Sequence, residues 1–276
     1  MPFAGIDIGS TMTKVIIVDR KETILTAIIG PTGVEHRHQA LQVMNEALGQ
    51  SSLTFDELDF IVATGYGRIN VPFADKQVTE ITCHARGIRA IFPTARIIID
   101  VGGQDSKGIK LDSAGKVADF IMNDKCAAGT GRFLEVIAET LGIKLTDLGN
   151  ISLTARNYVK ISNTCTVFAE HEVTSRLAEG AQIPEIVAGL HESIAGRVVN
   201  MVRHLGIEKD VVVTGGGAKN SGLVKAIADK VGFPVLVPPE PFLTGALGAA
   251  LLGMGFVDRG LTRDHERRME SVTFFK

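Results

Sequence analysis

Apolar and polar residues follow one another along the chain in a pattern that predicts strands and helices in alternation. Short apolar runs bounded by turn residues predict strands, and apolar residues at helical spacing predict amphipathic helices. Pro93 ends the first series of elements. This first half is predicted to contain, in order, strands at 3–8, 13–19 and 23–29, a helix at 38–48, a strand at 60–64 and a helix at 80–91.

The second half begins in the same way and then departs from the first. A strand at 96–101, a turn and a strand near 117–122 predict a second antiparallel meander. Residues 123–180 have no counterpart in the first half, which indicates an insertion. The other predicted elements are a helix at 184–205, a strand at 211–214, a further helix, a strand at 234–237, a Gly/Ala-rich helix at 244–253 and a frayed tail over the last twenty residues.

These elements predict an α/β protein built from two similar subdomains. The first is expected to span 1–94 and to be closed by the C-terminal helix 244–260, and the second to span 95–243 and to contain the insertion 123–180. A length of 276 residues with 45% apolar residues and 30 glycines suits this organisation.

Charge and composition remove several classes of partner from the prediction. A net charge of −2 gives no reason to expect nucleic acid or an anionic membrane as a partner. No apolar run reaches about 18 residues, and the N-terminus lacks the basic and apolar regions of a signal peptide, so a cytoplasmic protein is expected. Three cysteines in a reducing compartment do not make a disulfide framework and need another explanation.

One segment occurs twice. Residues 6–19 read IDIGSTMTKVIIVD and residues 99–112 read IDVGGQDSKGIKLD, with six of the fourteen positions identical. Each copy is a strand ending in Asp, a glycine turn with small polar residues, and a second strand. Glycine lets backbone N–H groups approach phosphate closely, and Asp7 and Asp100 are placed to hold Mg²⁺ through water. Two ordinary hairpins are the alternative, which the coincidence of Asp and Gly disfavours.

Four segments are predicted to converge on one nucleotide. The first turn offers N–H groups, hydroxyls and a cation to the β and γ phosphates, and the second turn offers a glutamine that orients a water. The glycine run after strand 211–214 suits a nucleoside or an α-phosphate, and a small-residue helix start packs nearby. The predicted binding residues are Gly9, Ser10, Thr11, Met12, Thr13, Lys14, Gly102, Gly103, Gln104, Gly215, Gly216, Gly217, Asn220 and Ala246.

The order of these segments resembles the superfamily of sugar kinases, heat-shock ATPases and actin. The resemblance implies two ribonuclease-H-like subdomains around a cleft that binds ATP and Mg²⁺, with Asp7, Asp100 and Gln104 as catalytic residues. No Walker-type G-x-x-x-x-G-K-[ST] motif is present, which excludes a P-loop ATPase. In kinases of this superfamily an Asp acts as base on a substrate hydroxyl, whereas here Gln104 follows the glycine pair.

Two of the three cysteines stand at or just before predicted helix starts. Apolar residues at helical spacing follow both Cys126 and Cys165, and helix N-termini favour a thiolate. Buried small hydrophobes are the alternative reading of both residues. Two thiolates per chain would supply the four ligands of a [4Fe–4S] cluster if a homodimer shared it, and zinc would accept the same four thiolates.

Several strings together resemble the activator ATPases of 2-hydroxyacyl-CoA dehydratases, which are similar to the ATPase subunits of benzoyl-CoA reductase and to double-cubane cluster protein reductases. They are ATGYGR (63–68), DKQ (75–77), MNDKCAAGTGRF (122–133), NTCTVFAE (163–170) and TGALGAAL (244–251). The resemblance implies that Cys126 and Cys165 ligate one [4Fe–4S] cluster between two subunits. Cys83 is interpreted as structural, and His171 as a helix-surface residue.

The resemblance also implies the activity. ATP binding would close the two halves, hydrolysis would reset them, and the motion would drive a low-potential electron to a partner dehydratase or reductase, with ferredoxin or flavodoxin as donor. Two alternatives stay open: a small-molecule kinase with a structural metal or thiol site, and a nucleotide-gated sensor without turnover. The absence of an evident kinase base disfavours the first, and Asp7, Asp100 and Gln104 disfavour the second.

Overall fold

The computed structural model describes residues 1–124, 126–162 and 165–262, and the predicted tail lies mostly outside them. The first half contains β1 (Phe3–Ile8), β2 (Met12–Val18), β3 (Ile24–Pro31), α1 (His36–Ser51), β4 (Phe60–Thr64), β5 (Lys76–Gln77) and α2 (Glu80–Ile91). The remainder contains β6 (Ile97–Val101), β7 (Ser106–Leu111), β8 (Val117–Asn123), α3 (Gly131–Leu141), α4 (Leu148–Leu153), α5 (Thr166–Ala178), α6 (Ile183–Arg203), β9 (Val211–Thr214), α7 (Ser221–Val231) and α8 (Thr244–Asp258).

The chain divides into two compact units. The first is Met1–Pro93 together with the segment from Phe242 onward, and the second is Thr94–Pro241. Helix α8 therefore belongs to the first unit although it follows the second unit in sequence. Cys126 and Cys165 both belong to the second unit.

The first unit is a five-stranded sheet with helices on both faces. Its strand order is β3-β2-β1-β4-β5, with β1, β2 and β3 antiparallel and β1, β4 and β5 parallel. One apolar cluster lies between the sheet and α1, and another contains residues of α2 and α8. All six residues of β1 are buried, as expected for a central strand that is covered on both sides.

The second unit repeats this arrangement with four strands. Its order is β8-β7-β6-β9, where β6, β7 and β8 are antiparallel and β9 runs parallel to β6. A single apolar cluster joins this sheet to helices α3, α5, α6 and α7. Both units thus combine an antiparallel meander with a parallel fourth strand beside its first strand, and the predicted duplication is confirmed at the level of the sheets.

Helix α8 packs unusually close to its neighbours because glycines line the contact. A Cβ on Gly5 would lie 2.0 Å from the Ala246 carbonyl oxygen, and a Cβ on Gly248 would lie 1.7 Å from the Cys83 carbonyl oxygen. By length and composition the segment 241–258 would suffice to cross a membrane, but α8 packs on β1, β2, β4 and α2 as a core helix does.

Two predicted elements differ in the structure. The strand predicted at 234–237 is reduced to one bridge, in which Leu236 pairs with Val212, because the flanking Pro234 and Pro238 have no N–H group to donate. The C-terminal helix, predicted as a Gly/Ala-rich segment at 244–253 and as a closing helix at 244–260, spans Thr244–Asp258.

Candidate functional site

In the first repeated hairpin, an Asp and a Lys face each other on adjacent strands. Asp7 on β1 is paired in register with Lys14 on β2, and the Lys14 Nζ lies 3.2 Å from Asp7 Oδ2. The carboxylate is nearly buried, with 3% of Asp7 exposed. A buried carboxylate of this kind needs a charged or hydrogen-bonded partner, which Lys14 supplies.

The predicted phosphate ligands in this hairpin differ in their exposure. The Gly9 N–H donates to the Met12 carbonyl at 3.0 Å, and Ser10, Thr11 and Met12 are half-buried or exposed. Thr13 is instead fully buried, with its hydroxyl 3.0 Å from the Thr32 hydroxyl. The side chain of Thr13 therefore stabilises the hairpin, whereas Ser10, Thr11 and Met12 are accessible in the turn.

The second hairpin has the same construction and an additional carboxylate. Asp100 on β6 is paired in register with Lys107 on β7, again with 3.2 Å between Oδ2 and Nζ. Lys107 also lies 2.8 Å from Asp105 Oδ2 and is only 2% exposed. The Gly102 N–H donates to the Asp105 carbonyl at 2.9 Å, and Gln104 is exposed at the tip of the turn.

This second turn is bonded directly to the first helix of the cysteine-bearing segment. The N–H groups of Gly131 and Arg132, which begin α3, donate to the carbonyls of Gly102 and Gly103, both at 2.8 Å. Helix N-termini leave N–H groups without intrahelical partners, so the turn serves as a cap for α3. Cys126 lies five residues before that helix start.

A second repeated feature, which the sequence analysis did not identify, is a glycine turn next to each aspartate. The parallel strands β4 and β9 end in Thr64-Gly65-Tyr66-Gly67 and Thr214-Gly215-Gly216-Gly217. Gly65 has φ +86° and a Cβ there would lie 2.4 Å from Asp7 Oδ1. Gly215 has φ +79° and a Cβ there would lie 2.6 Å from Asp100 Oδ1. In both units a glycine in the left-handed region thus leaves room for the carboxylate.

The glycine run after β9 leads into a hydrogen-bonded network of three helices. It forms a short 3₁₀ helix, Gly216–Lys219, before α7, where Asn220 Oδ1 accepts from the Leu223 N–H at 3.0 Å. The Asn220 amide donates to His191 Nε2, and His191 Nδ1 donates to Ser152 Oγ, each at 2.9 Å. Burial lowers the pKa of His191 to about 4, so its ring is neutral near pH 7. Asn220 therefore fixes this loop to α4 and α6.

The structure also places Ala246, the remaining predicted nucleotide contact. It is fully buried in the apolar cluster of the first unit, on the first turn of α8. Its neighbour Gly245 lies near the Asp7 carboxylate, since a Cβ there would be 3.0 Å from Asp7 Oδ2. A direct role of Ala246 in binding stays a prediction.

The three cysteines fall into two environments. Cys126 and Cys165 are exposed free thiols, which excludes the alternative that they are buried small hydrophobes. Cys165 is the N-cap residue of α5, as predicted, and the Ala169 N–H donates to its carbonyl at 2.9 Å. Cys83 is buried, and burial raises the pKa of its thiol to about 12. A thiol of that kind stays protonated and unreactive, as a structural role requires.

The comparison with protein families accounts for this arrangement. Residues 4–253 match the model of the BadF/BadG/BcrA/BcrD ATPase family. The chain belongs to this family. The predicted family is thereby confirmed.

Individual relatives of this family are similar over most of the chain. The activator of lactoyl-CoA dehydratase of Anaerotignum propionicum is 48% identical over 249 residues, which cover 90% of this chain and 95% of that protein. The structure of the activator of the 2-hydroxyisocaproyl-CoA dehydratase from Clostridium difficile, with bound ADPNP, is 46% identical. It superimposes with a TM-score of 0.88 over 94% of this chain and 96% of that one.

A solved sugar kinase shares this fold at low sequence identity. A ROK family glucokinase from Streptomyces griseus matches with a TM-score of 0.57 at 13% identity, over 92% of this chain and all of the other. This similarity shows the fold alone, and it confirms the predicted actin- and hexokinase-like architecture. The duplicated hairpins and the TGxG turns are thus parts of an ATPase-family fold.

Proposed function

We propose that this protein is an ATP-dependent activator that passes electrons through a [4Fe–4S] cluster shared by two copies of the chain. The observation that carries the proposal is the direct link between the hairpin and the cysteine segment: the Gly102–Gly103 turn is hydrogen-bonded to the start of α3, five residues after the exposed Cys126. A phosphate-binding turn and a redox ligand are thereby parts of one short bonded path.

ATP binding and hydrolysis are assigned to the two hairpins. The Gly9–Met12 and Gly102–Gln104 turns offer backbone N–H groups and polar side chains to phosphate. Lys14 and Lys107 each donate to one carboxylate oxygen, the Oδ2 of Asp7 and of Asp100 respectively, at 3.2 Å. We propose that both aspartates hold Mg²⁺ through water, and that Gln104 orients the attacking water.

The two exposed cysteines fit the ligand requirement of the cluster. Each chain offers two accessible thiols, Cys126 and Cys165, on the same unit, and a [4Fe–4S] cluster takes four. A two-fold symmetric homodimer would therefore complete the set. The cluster would supply one-electron chemistry, while this chain would hold it and control its surroundings.

The relatives indicate the class of partner. Two of the proteins most similar to this chain are named as activators of the lactoyl-CoA and 2-hydroxyisocaproyl-CoA dehydratases. We propose that the electron acceptor here is likewise a dehydratase or reductase that acts on acyl-CoA thioesters or carries a double-cubane cluster. Ferredoxin or flavodoxin is proposed as the donor, and the protein is proposed to act in the cytoplasm.

Among the described residues of the second unit, the carboxylate that directly follows Gln104 is already ion-paired, which disfavours the small-molecule kinase alternative. The carboxylate next to Gln104 is Asp105, and it is bonded to Lys107 at 2.8 Å. An ion-paired carboxylate is a weaker base than a free one. This pairing favours hydrolysis over phosphoryl transfer to a substrate hydroxyl.

Metal analysis of the anaerobically purified protein tests the proposal. We expect about four irons and four sulfides per dimer, an electron paramagnetic resonance signal on reduction, and ATP hydrolysis. Cys126→Ala and Cys165→Ala should each lose the iron and keep the affinity for ATP. Cys83→Ala is the matched control and should keep both. Protein that contains zinc and no iron would exclude the electron-transfer function.

A further inference from the structure

A cavity of about 540 Å³ lies beside Cys126 within the second unit. Its walls come from β7, β8, the loop after β8 and helix α6, and they include Ser106, Met122, Cys126, Arg197 and Met201. Cys126, a proposed cluster ligand, thus lines the same cavity as Arg197 on the distant helix α6.

Cys126 is held on the wall of this cavity by Asn123. The Asn123 amide donates to the Cys126 carbonyl at 2.8 Å, and the Cys126 N–H donates to Asn123 Oδ1 at 3.3 Å. Both backbone groups of the cysteine are therefore tied to one side chain. These two bonds anchor the backbone of Cys126 at the edge of the cavity.

Arg197 brings positive charge to the same space. Among the described residues that line the cavity it is the one cation, and the exposed Asp124 is the one carboxylate. Helix α6 packs on β7 and β8, so the segment around Arg197 is fixed to the sheet that leads into the cysteine loop.

Arg197 and Cys126 line the same cavity and are close enough to influence each other electrostatically. Partial burial lowers the pKa of the Arg197 guanidinium, and the nearby Cys126 raises it. Because arginine stays protonated in proteins, a full positive charge stands within electrostatic reach of the Cys126 sulfur.

We propose that Arg197 is a positioning residue for the cluster, whose charge beside Cys126 favours the reduced state and so raises the midpoint potential. This inference rests on the proposed function. Reduction adds one negative charge to the cluster, and a nearby cation stabilises the more negative form. Solvent access and neighbouring dipoles act on cluster potentials in the same way. Arg197 would therefore let an ordinary low-potential donor reduce the cluster.

A redox titration of the loaded homodimer, followed by electron paramagnetic resonance, tests this role. In Arg197→Gln and Arg197→Met the midpoint potential should shift to a more negative value, and Met preserves the apolar stem of the side chain. Arg197→Lys keeps the charge and should titrate close to the parent. Iron content and ATP affinity, measured on the same samples, show whether each variant is folded and loaded.

Arg203→Gln is the matched control, since it removes the same charge from the same helix. Arg203 donates instead to Asn200 Oδ1 at 3.0 Å and to the Lys230 carbonyl at 3.4 Å, so its loss should leave the potential unchanged. The inference is also supported if Arg197→Gln and Arg197→Met bind ATP but retain no iron, while Arg197→Lys retains it.

The outcomes separate this inference from the function on which it rests. A parent protein without iron would overturn both. A parent that carries the cluster, together with Arg197→Gln at the parent's potential, would overturn the inference alone. So would an Arg197→Lys variant that shifts as far as Arg197→Gln.

Discussion

At the scale of single residues, buried polar groups carry the architecture of the candidate site. Asp7 and Asp100 are each paired with a lysine on the next strand of the chain, and His191 bridges Ser152 and Asn220. Leaving one member of such a set unpaired costs more than the pair contributes, because a buried polar group cannot recover its hydration. These side chains therefore fix the turns that they join.

His191 makes the stability of the protein dependent on pH in a defined range. Its pKa is lowered to about 4 in the folded chain, whereas an unfolded histidine titrates near 6.5. Between these values the unfolded state binds the extra proton, so stability falls as the pH falls. From pH 7 to pH 5 we expect a loss of about 2 kcal/mol from this residue, measured by urea unfolding.

Variants of two histidines isolate that contribution. In His191→Gln the pH dependence should be smaller by about 2 kcal/mol over the same range, even though the variant is less stable at pH 7. His171→Gln is the control, since His171 is exposed on α5 as predicted. An unchanged pH dependence in His191→Gln would contradict the assignment of the loss to this ring.

At the scale of elements, the start of α3 is joined to the second hairpin turn by backbone bonds. Thr130 has φ −125° and ψ 171°, an extended conformation that a following proline accepts, and Gly131 is the first residue of the helix. The helix can therefore lose the Gly131 N–H without losing its first turn.

Gly131→Pro should uncouple the nucleotide from the cysteine segment. Proline removes the N–H that donates to the Gly102 carbonyl at 2.8 Å, and Gly131→Ala retains it. Iron release to the chelator bathophenanthroline disulfonate, measured with and without Mg-ATP, should depend on nucleotide in the parent and in Gly131→Ala. In Gly131→Pro the two rates should converge. A full nucleotide effect in the proline variant would contradict this path.

The elements also show what the amino-acid pattern can and cannot predict. The Asp/Lys hairpins can be predicted because the two copies have the same Asp, Gly and Lys residues at a constant separation of 93 positions. The TGxG turns were missed because Gly65 and Gly215 are 150 positions apart, since the insertion and α6 lengthen the second half. A search for TGxG after each predicted parallel strand would have found them.

Tertiary partners distant in sequence account for the other omissions. The bonds of His191 reach residues 39 and 29 positions away, so nothing in the local pattern of α6 distinguishes it from an apolar position. Arg197 likewise looks like a solvent-facing residue of an amphipathic helix until the cavity beside Cys126 is seen.

At the scale of the whole molecule, each unit has a glycine with positive φ that leaves room for the aspartate carboxylate. Matched substitutions test this feature in both units. Gly65→Ala and Gly215→Ala would place a Cβ within 2.4 Å and 2.6 Å of Asp7 and Asp100, respectively. Each substitution should lower the free energy of unfolding by about 1–3 kcal/mol. The rate of ATP turnover should fall by about tenfold or more, because a tenfold loss of rate corresponds to about 1.4 kcal/mol of transition-state stabilisation.

Two other glycines separate the clash from backbone strain. Gly33 in the first unit and Gly180 in the second also have positive φ, +60° and +91°, but a Cβ on either would meet nothing within 4 Å. Gly33→Ala and Gly180→Ala should therefore cost stability without lowering the rate of ATP hydrolysis. Equal loss of turnover in all four variants would show that strain, and not the carboxylate, is responsible.

The short loop before α3 has a mechanical consequence. Gly131 is five positions after Cys126, a span of at most about 18 Å. Asn123 ties one end of this loop, Thr130 bonds twice to the Ala127 carbonyl, and the Gly102 carbonyl holds the other end. A short loop that is hydrogen-bonded at both ends has few ways to absorb a displacement, so we expect a shift of the turn to be passed on to Cys126.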